Sequence, residues 1–333
     1  MSEDWADRTA GQLLDRGLLQ KGVCLILGGI DTGKTTLTAA MAGRLAQSSR
    51  VGVIDADIGQ SHIGPPATVG WAFVDKPQVS FSQLNPDGIS FVGDVTPVGH
   101  LLQLTAAIAQ CVRQASRSEA VPALRPTGIP SASSGQTLPV GRNEGKPVLS
   151  AVEGMPSSQG QGQDALATRI IIDTPGFIAG PAATALWWAV QRMVRPNLIL
   201  AVQRENELND VLRGMKNLGS QLELVQCPPW MPVKSPQARS SYRQDVFVKY
   251  FQDSCLYDID LSAITIQTNQ NPCRESLISR LVALRDKDGT DLAVGVVAEL
   301  RNNGQIVTIR APRLNISRVS CLVIGDVKIN LTE

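Results

Sequence analysis

The first absences that matter concern cysteine and histidine. The six cysteines, Cys24, Cys111, Cys227, Cys255, Cys273 and Cys321, form no C-x-x-C pair, and the only histidines are His62 and His100. Neither a structural zinc site nor a disulfide framework fits that spacing, so the thiols are read as reduced and mostly buried. Charge of one sign is missing too. The formal net charge is +1, which removes the global signature of nucleic-acid binding and leaves room only for a local patch. No apolar run reaches the length of a bilayer span, and the opening MSEDWADRTA is acidic and polar where a secretory leader is basic and then apolar. No membrane partner and a cytoplasmic location are expected.

What is present is a chain of 333 residues, 43% hydrophobic, enough for one large α/β domain and a smaller one. Residues 1–22 read as a helical segment. From residue 23, buried apolar runs alternate with helices: VCLILGG, then DTGKTTLTAAMAGRLAQ, VGVIDAD, ISFVGDV, GHLLQLTAAIAQCVRQA, TRIIIDTPG, AATALWWAVQRMV and NLILAVQ. Continuous apolar strands alternating with helices predict a mostly parallel sheet covered on both faces. Trp187 and Trp188 are both expected in the core on a helix. The stretch 116–163 is crowded with Pro, Gly, Ser and Gln and has no aromatic residue; that composition predicts a disordered insertion. From 257 to 333, short β-rich runs separated by turns such as KDG and NNG predict a small antiparallel β domain.

GGIDTGKTT fits G-x-x-x-x-G-K-[ST] between a buried strand and a helix. In that setting the residues Gly28, Gly29, Ile30, Asp31, Thr32, Gly33, Lys34, Thr35 and Thr36 cradle phosphates on backbone N–H groups. Lys34 reaches the β and γ oxygens, and the Thr35 hydroxyl binds Mg²⁺. Gly29 and Ile30 stand where the partitioning branch of P-loop proteins has its extra lysine, and no N-K-x-D guanine-reading motif follows NLILAVQ. ATP is therefore the expected nucleotide. Two more strands end in carboxylates: VIDADIGQ carries Asp55 and Asp57, and IIIDTPGF carries Asp173, expected at the metal. Ligands of open α/β sheets gather at such strand ends.

Taken in order, the blocks GGIDTGKTT, DADIGQSHIGPP, FVGDVTPVGHL, DTPGF, LAVQRENEL and ARSSYRQDVFVKYF resemble those of the polynucleotide 5′-hydroxyl kinases. That family includes the RNA kinase subunit of the messenger-RNA cleavage factor and the ribosomal-RNA-processing kinases. The resemblance implies a P-loop kinase domain and transfer of the γ-phosphate of ATP to the 5′-hydroxyl of RNA or DNA. It also implies that Asp55, Asp57 and Gln60 supply the activating carboxylate and part of the Mg²⁺ site, that Thr174, Gly176 and Phe177 clasp the terminal nucleotide, and that Arg239 and Arg243 form a lid. Phosphoryl transfer needs positioning, a metal, charge stabilisation and a proton acceptor. Asp55 is the expected acceptor and Asp57 its metal partner, roles that the residues themselves leave exchangeable. Arg239 and Arg243, one helical turn apart, can face a single phosphate. Gln203 and Arg204 either edge the adenine or end their strand, and the block role of Pro97 and His100 does not follow from residue chemistry. An ATP-binding scaffold and a small-molecule kinase on the same fold are the competing readings.

Overall fold

The computed structural model describes residues 2–77, 80–118, 169–215, 219–268 and 277–330. Its first half is an α/β unit. Helix α1 (Ser2–Asp15) packs on α2 (Lys34–Leu45), which follows β1 (Gly22–Gly28) directly through the P-loop. Then come β2 (Val51–Asp55), β3 (Thr68–Val74), β4 (Gly88–Phe91), α3 (Leu101–Ser118), β5 (Arg169–Asp173), α4 (Gly180–Val194), β6 (Leu198–Gln203), α5 (Asn209–Met215), β7 (Gln221–Gln226) and α6 (Pro236–Phe251). Strands β7, β6, β1, β5 and β2 lie side by side and parallel. Their central members are apolar throughout because both faces are covered: Leu25, Leu27, Ile170 and Ile172 pack one way, Cys24, Ile26 and Ile171 the other.

Two features depart from the sequence reading. The first is β3, which runs antiparallel to β2 and is followed by β4, antiparallel in turn. TVGWAFV is buried at every position, so it shows no alternation of apolar and polar residues; its β-branched and aromatic content was the available signal. The second concerns the predicted insertion. Ser116 and Arg117 belong to the last turns of α3, whose apolar face packs Leu104, Ile108, Cys111 and Ala115 against the sheet. Residues 119–163 lie outside the described residues.

The C-terminal strands are β8 (Ser254–Asp260), β9 (Thr265–Thr268), β10 (Arg280–Asp286), β11 (Asp291–Arg301), β12 (Ile306–Pro312) and β13 (Val319–Lys328). They pair antiparallel except for β9, which runs parallel to β13. The sheet is continuous across the molecule through β4 and β11, which meet at Ile89 and Asp291. At this joint Phe91 N donates to Asp291 Oδ2 at 2.8 Å and Arg285 Nε donates to Asp291 Oδ1 at 2.7 Å, so the buried carboxylate is paired. Phe247 and Phe251 of α6 pack with Phe91, Leu281, Ala283 and Val294. The C-terminal half of α6 is thus anchored on the β strands, and its N-terminal half reaches the P-loop.

Gly70 in β3 shows how tightly the strand tips are packed. A Cβ there would lie 1.8 Å from the carbonyl oxygen of Ile63. Gly70→Ala must displace the backbone of the 56–67 connection, and we expect it to lower stability by about 1–3 kcal/mol in denaturant unfolding. An unchanged midpoint would show that this connection yields freely.

Candidate active site

Gly33 precedes α2 with φ of 86°, and a Cβ on it would lie 2.7 Å from Met231 Cε and 2.9 Å from Trp5 Cζ3. Only glycine fits that backbone and that space. Lys34 and the following residues then open the helix, so their N–H groups point to one anion-binding spot. Lys34 is buried and its Nζ donates to Gly29 O at 2.7 Å; Thr32 Oγ1 donates to the same oxygen at 3.0 Å. Burial lowers the Lys34 pKa, while the charges of Asp173, Asp57 and Asp31 act to raise it.

Register brings the acidic strand ends together. Asp173 pairs across β5 with Ile26 of β1 on one side and Asp55 of β2 on the other. Thr35 Oγ1 donates to Asp173 Oδ2 at 2.6 Å, and Asp173 Oδ1 is buried with no hydrogen-bond partner. Burial, with the charge of Asp55 added, pushes the Asp173 carboxyl up to about 7, against the lowering effect of Lys34 and Thr35. A hydroxyl, an unpartnered carboxylate oxygen and neighbouring phosphate space form the oxygen-rich, sparsely liganded setting that Mg²⁺ takes.

A cleft of about 420 Å³ opens over Lys34 and Thr35, with the buried Asp173 outside its lining. It is lined by residues 30–36 of the P-loop, by Asp57, Gln60 and His62, by Val95 to Pro97, by Pro175 to Phe177, and by Lys234, Arg239 and Arg243. Most of the expected site residues therefore converge.

Asp55, expected as proton acceptor and metal ligand, does not line the cleft. It is fully buried; its Oδ2 accepts from His62 N at 2.5 Å, Ile63 N at 3.0 Å and Ser61 Oγ at 3.5 Å, and its Oδ1 accepts from Asp57 N at 3.1 Å. Burial pushes it up to about 7 while these N–H donors pull the other way. The carboxylate organises the loop that follows it. Asp57 is the one that faces the cleft, held by Gly59 N at 3.1 Å and Gln60 N at 3.0 Å on Oδ1.

Thr174 also differs from its expected place in the substrate clasp. It is buried, and its Oγ1 donates to Ile26 O at 2.6 Å, tying β5 to β1. Gly176 and Phe177 do line the cleft. A Cβ on Gly176 would sit 2.5 Å from Ile30 Cγ1, so the turn rests on the tip of the P-loop. Gly28 and Gly29 lie behind the cleft lining, where a Cβ on Gly28 would meet Val202 O at 2.5 Å.

Arg239 is engaged by the P-loop itself: its Nη2 donates to Asp31 Oδ2 at 2.9 Å and to Lys234 O at 2.6 Å. Among the described residues the Arg243 side chain has no hydrogen bond or ion pair, and it lines the same cleft. Gln60 Nε2 donates to Arg239 O at 3.1 Å, and Tyr242 Oη donates to Ser61 O at 3.1 Å with its ring 5.4 Å from that of His62. Sequence reasoning missed this set of contacts between the loop after β2 and α6; the ring types at 62 and 242 were the only hint.

Arg204 donates to Asp31 O at 2.7 Å and to Cys227 Sγ at 3.2 Å, so it braces the P-loop, and Gln203 is buried at the end of β6. Trp187 is core, its Nε1 donating to Phe177 O at 2.7 Å, whereas Trp188 is exposed under Arg192. Adjacent helical residues point about 100° apart, and in α4 that step carries Trp188 onto the outer side while Leu186 and Trp187 stay buried. His100 is buried at the start of α3, its Nε2 lying 3.5 Å from Asp94 Oδ2 and 3.3 Å from Asp326 Oδ2. It links the Val95 to Pro97 wall of the cleft to β13, a role that lay beyond residue chemistry because Asp326 is remote in sequence.

Known proteins resemble this chain over most of its length. A polyribonucleotide 5′-hydroxyl-kinase of Pyrococcus horikoshii is 27% identical over 252 residues, 75% of this chain and 55% of that protein. One from Methanocaldococcus jannaschii is 24% identical over 248 residues, 73% of this chain and 54% of that protein. The chain spans about half the length of these relatives. Among solved structures, a chain of a Clp1p–Pcf11p complex superposes with a TM-score of 0.67 at 12% identity, covering 98% of this chain and 79% of that one, which shows a shared fold. The family described as mRNA cleavage and polyadenylation factor CLP1 P-loop matches residues 28–129 and 142–253, spanning the P-loop, the Asp57 loop, the 175–177 turn and the arginines of α6, and the chain belongs to that family.

Proposed function

We propose that this chain is an ATP-dependent polynucleotide 5′-hydroxyl kinase. The observation that carries the reading is the single cleft in which the P-loop, a solvent-facing carboxylate and an unpaired arginine meet. Phosphoryl transfer requires little beyond those parts held in line. The names of the relatives favour an RNA strand as acceptor.

The P-loop amides and Lys34 bind and orient the triphosphate. Mg²⁺, held by Thr35 and by Asp173 directly or through water, would screen the phosphate charge when bound. Asp57 takes the proton of the incoming 5′-hydroxyl, Arg243 stabilises the equatorial oxygens, and Phe177 offers a ring on which the terminal base stacks. Asp55 and Thr174 act at one remove, by fixing the loops that carry these groups.

ATP turnover by the purified chain should rise on adding a 5′-hydroxyl oligoribonucleotide and stay at its basal level with the same strand already 5′-phosphorylated. Chelating divalent cations with EDTA should abolish the stimulated rate, and added Mg²⁺ should restore it. Equal stimulation by both strands would favour a binding protein over a kinase, and turnover indifferent to any oligonucleotide would favour a small-molecule kinase.

A further inference from the structure

Asp31 stands at the tip of the P-loop in the left-handed region, φ 56°, where an aspartate is tolerated but not favoured. Its backbone and its carboxylate are used on opposite sides. The carbonyl oxygen accepts from Arg204 at 2.7 Å, while Oδ2 accepts from Lys234 N at 2.8 Å and from Arg239 Nη2 at 2.9 Å. Both side chains of the ion pair are largely shielded, 11% exposed for Asp31 and 21% for Arg239. Shielding makes such a charge-assisted contact stronger than a surface pair, and makes loss of one partner more damaging.

The two lid arginines therefore differ. Arg239 is committed on several sides: Asp31 and Lys234 O hold its guanidinium, and Gln60 holds its carbonyl. Arg243, one turn further along α6, faces the cleft without a partner among the described residues. Phe247 and Phe251 fix the far end of the helix in the core. The N-terminal half of the helix is tied to the loop after β2 through Gln60 and Tyr242 and to the phosphate-binding loop through Asp31, and only the Asp31 contacts grip the lid from the cradle itself.

We propose that Asp31 is a positioning residue that latches the lid: through Arg239 and the Lys234 amide it sets α6 so that Arg243 points at the transferring phosphate. The effect on transfer rests on the kinase reading; the latch itself does not. Since the carboxylate sits on the loop that cradles the triphosphate, the pose of the lid is tied to the shape of that cradle.

Hydrogen exchange on the full chain tests the latch directly. Asp31→Gly suits the left-handed backbone and removes the carboxylate. It should speed exchange of amides 234–243 by about tenfold and leave those of α2 unchanged. Asp31→Asn, which keeps an acceptor and loses the charge, should fall between. Arg239→Gln should give a similar acceleration, and combining it with Asp31→Gly should add little, because both act through one contact. Unchanged exchange in Asp31→Gly, or effects that multiply in the double variant, would overturn the proposal.

In the transfer assay, Asp31→Gly should lower kcat about tenfold while the KM for ATP stays within about threefold. A loss explained by weaker ATP binding would make Asp31 a nucleotide-binding residue instead and overturn the latch. If the unaltered chain transfers nothing to a 5′-hydroxyl, the kinase reading falls, and the exchange data still decide the latch.

Discussion

Asp57→Asn abolishes phosphate transfer and leaves the fold intact, whereas Asp55→Asn costs stability first: that is the expected pair of results. Asp57 faces the cleft and accepts the Gly59 and Gln60 amides through Oδ1 alone, an arrangement that an asparagine oxygen reproduces. What disappears is the ability to take a proton and a charge near the metal site, and general-base contributions of this kind run to about 10²–10⁴-fold in rate. Asp55 is the opposite case. Both of its oxygens accept from N–H groups, so whichever way an asparagine is turned, its NH₂ faces a backbone donor. Leaving buried donors unpaired costs about 1–3 kcal/mol. Unfolding curves should separate the two variants as clearly as the kinetics do. A stable Asp55→Asn protein without activity, beside an active Asp57→Asn protein, would reverse the assignment.

Lys34→Ala is expected to remove about 10²–10³ of the transfer rate while the Tm stays near that of the unaltered chain. Nζ is a buried cation of the P-loop, and the charges of Asp173, Asp57 and Asp31 act on it. Its removal takes away a charge that grows more valuable as negative charge shifts onto the leaving phosphate. Stability should hardly change, because the desolvation that lowers the lysine pKa is a cost that alanine does not bear. Circular dichroism with the transfer assay checks both halves of this prediction. A large drop in Tm would recast Lys34 as a structural residue.

The parallel strands and the P-loop could be read in advance because each is a local pattern: an apolar run, then glycines, then lysine and threonine at fixed spacing. The split between Asp55 and Asp57 could not. Residues two apart share a face only while the chain is a strand, and β2 ends at Asp55, so the turn that follows sends Asp57 elsewhere. Thr174 misled in the same way, since motif position places a residue near the phosphate without fixing which way its hydroxyl turns. Contacts such as Asp31 with Arg239 or His100 with Asp326 join residues far apart in the chain, and charge alone offers many equivalent pairings. The role of the C-terminal strands became visible only through the shared sheet at Ile89 and Asp291 and the seat they give α6.

Incubating the chain with γ-labelled ATP, Mg²⁺ and a short 5′-hydroxyl oligoribonucleotide tests the central claim most directly. Label should appear on the 5′ end of the strand, be released again by a phosphatase, and fall by about 10²–10³ with Lys34→Ala. Nucleotide binding by the folded chain with no label on any 5′-hydroxyl strand, RNA or DNA, would contradict it.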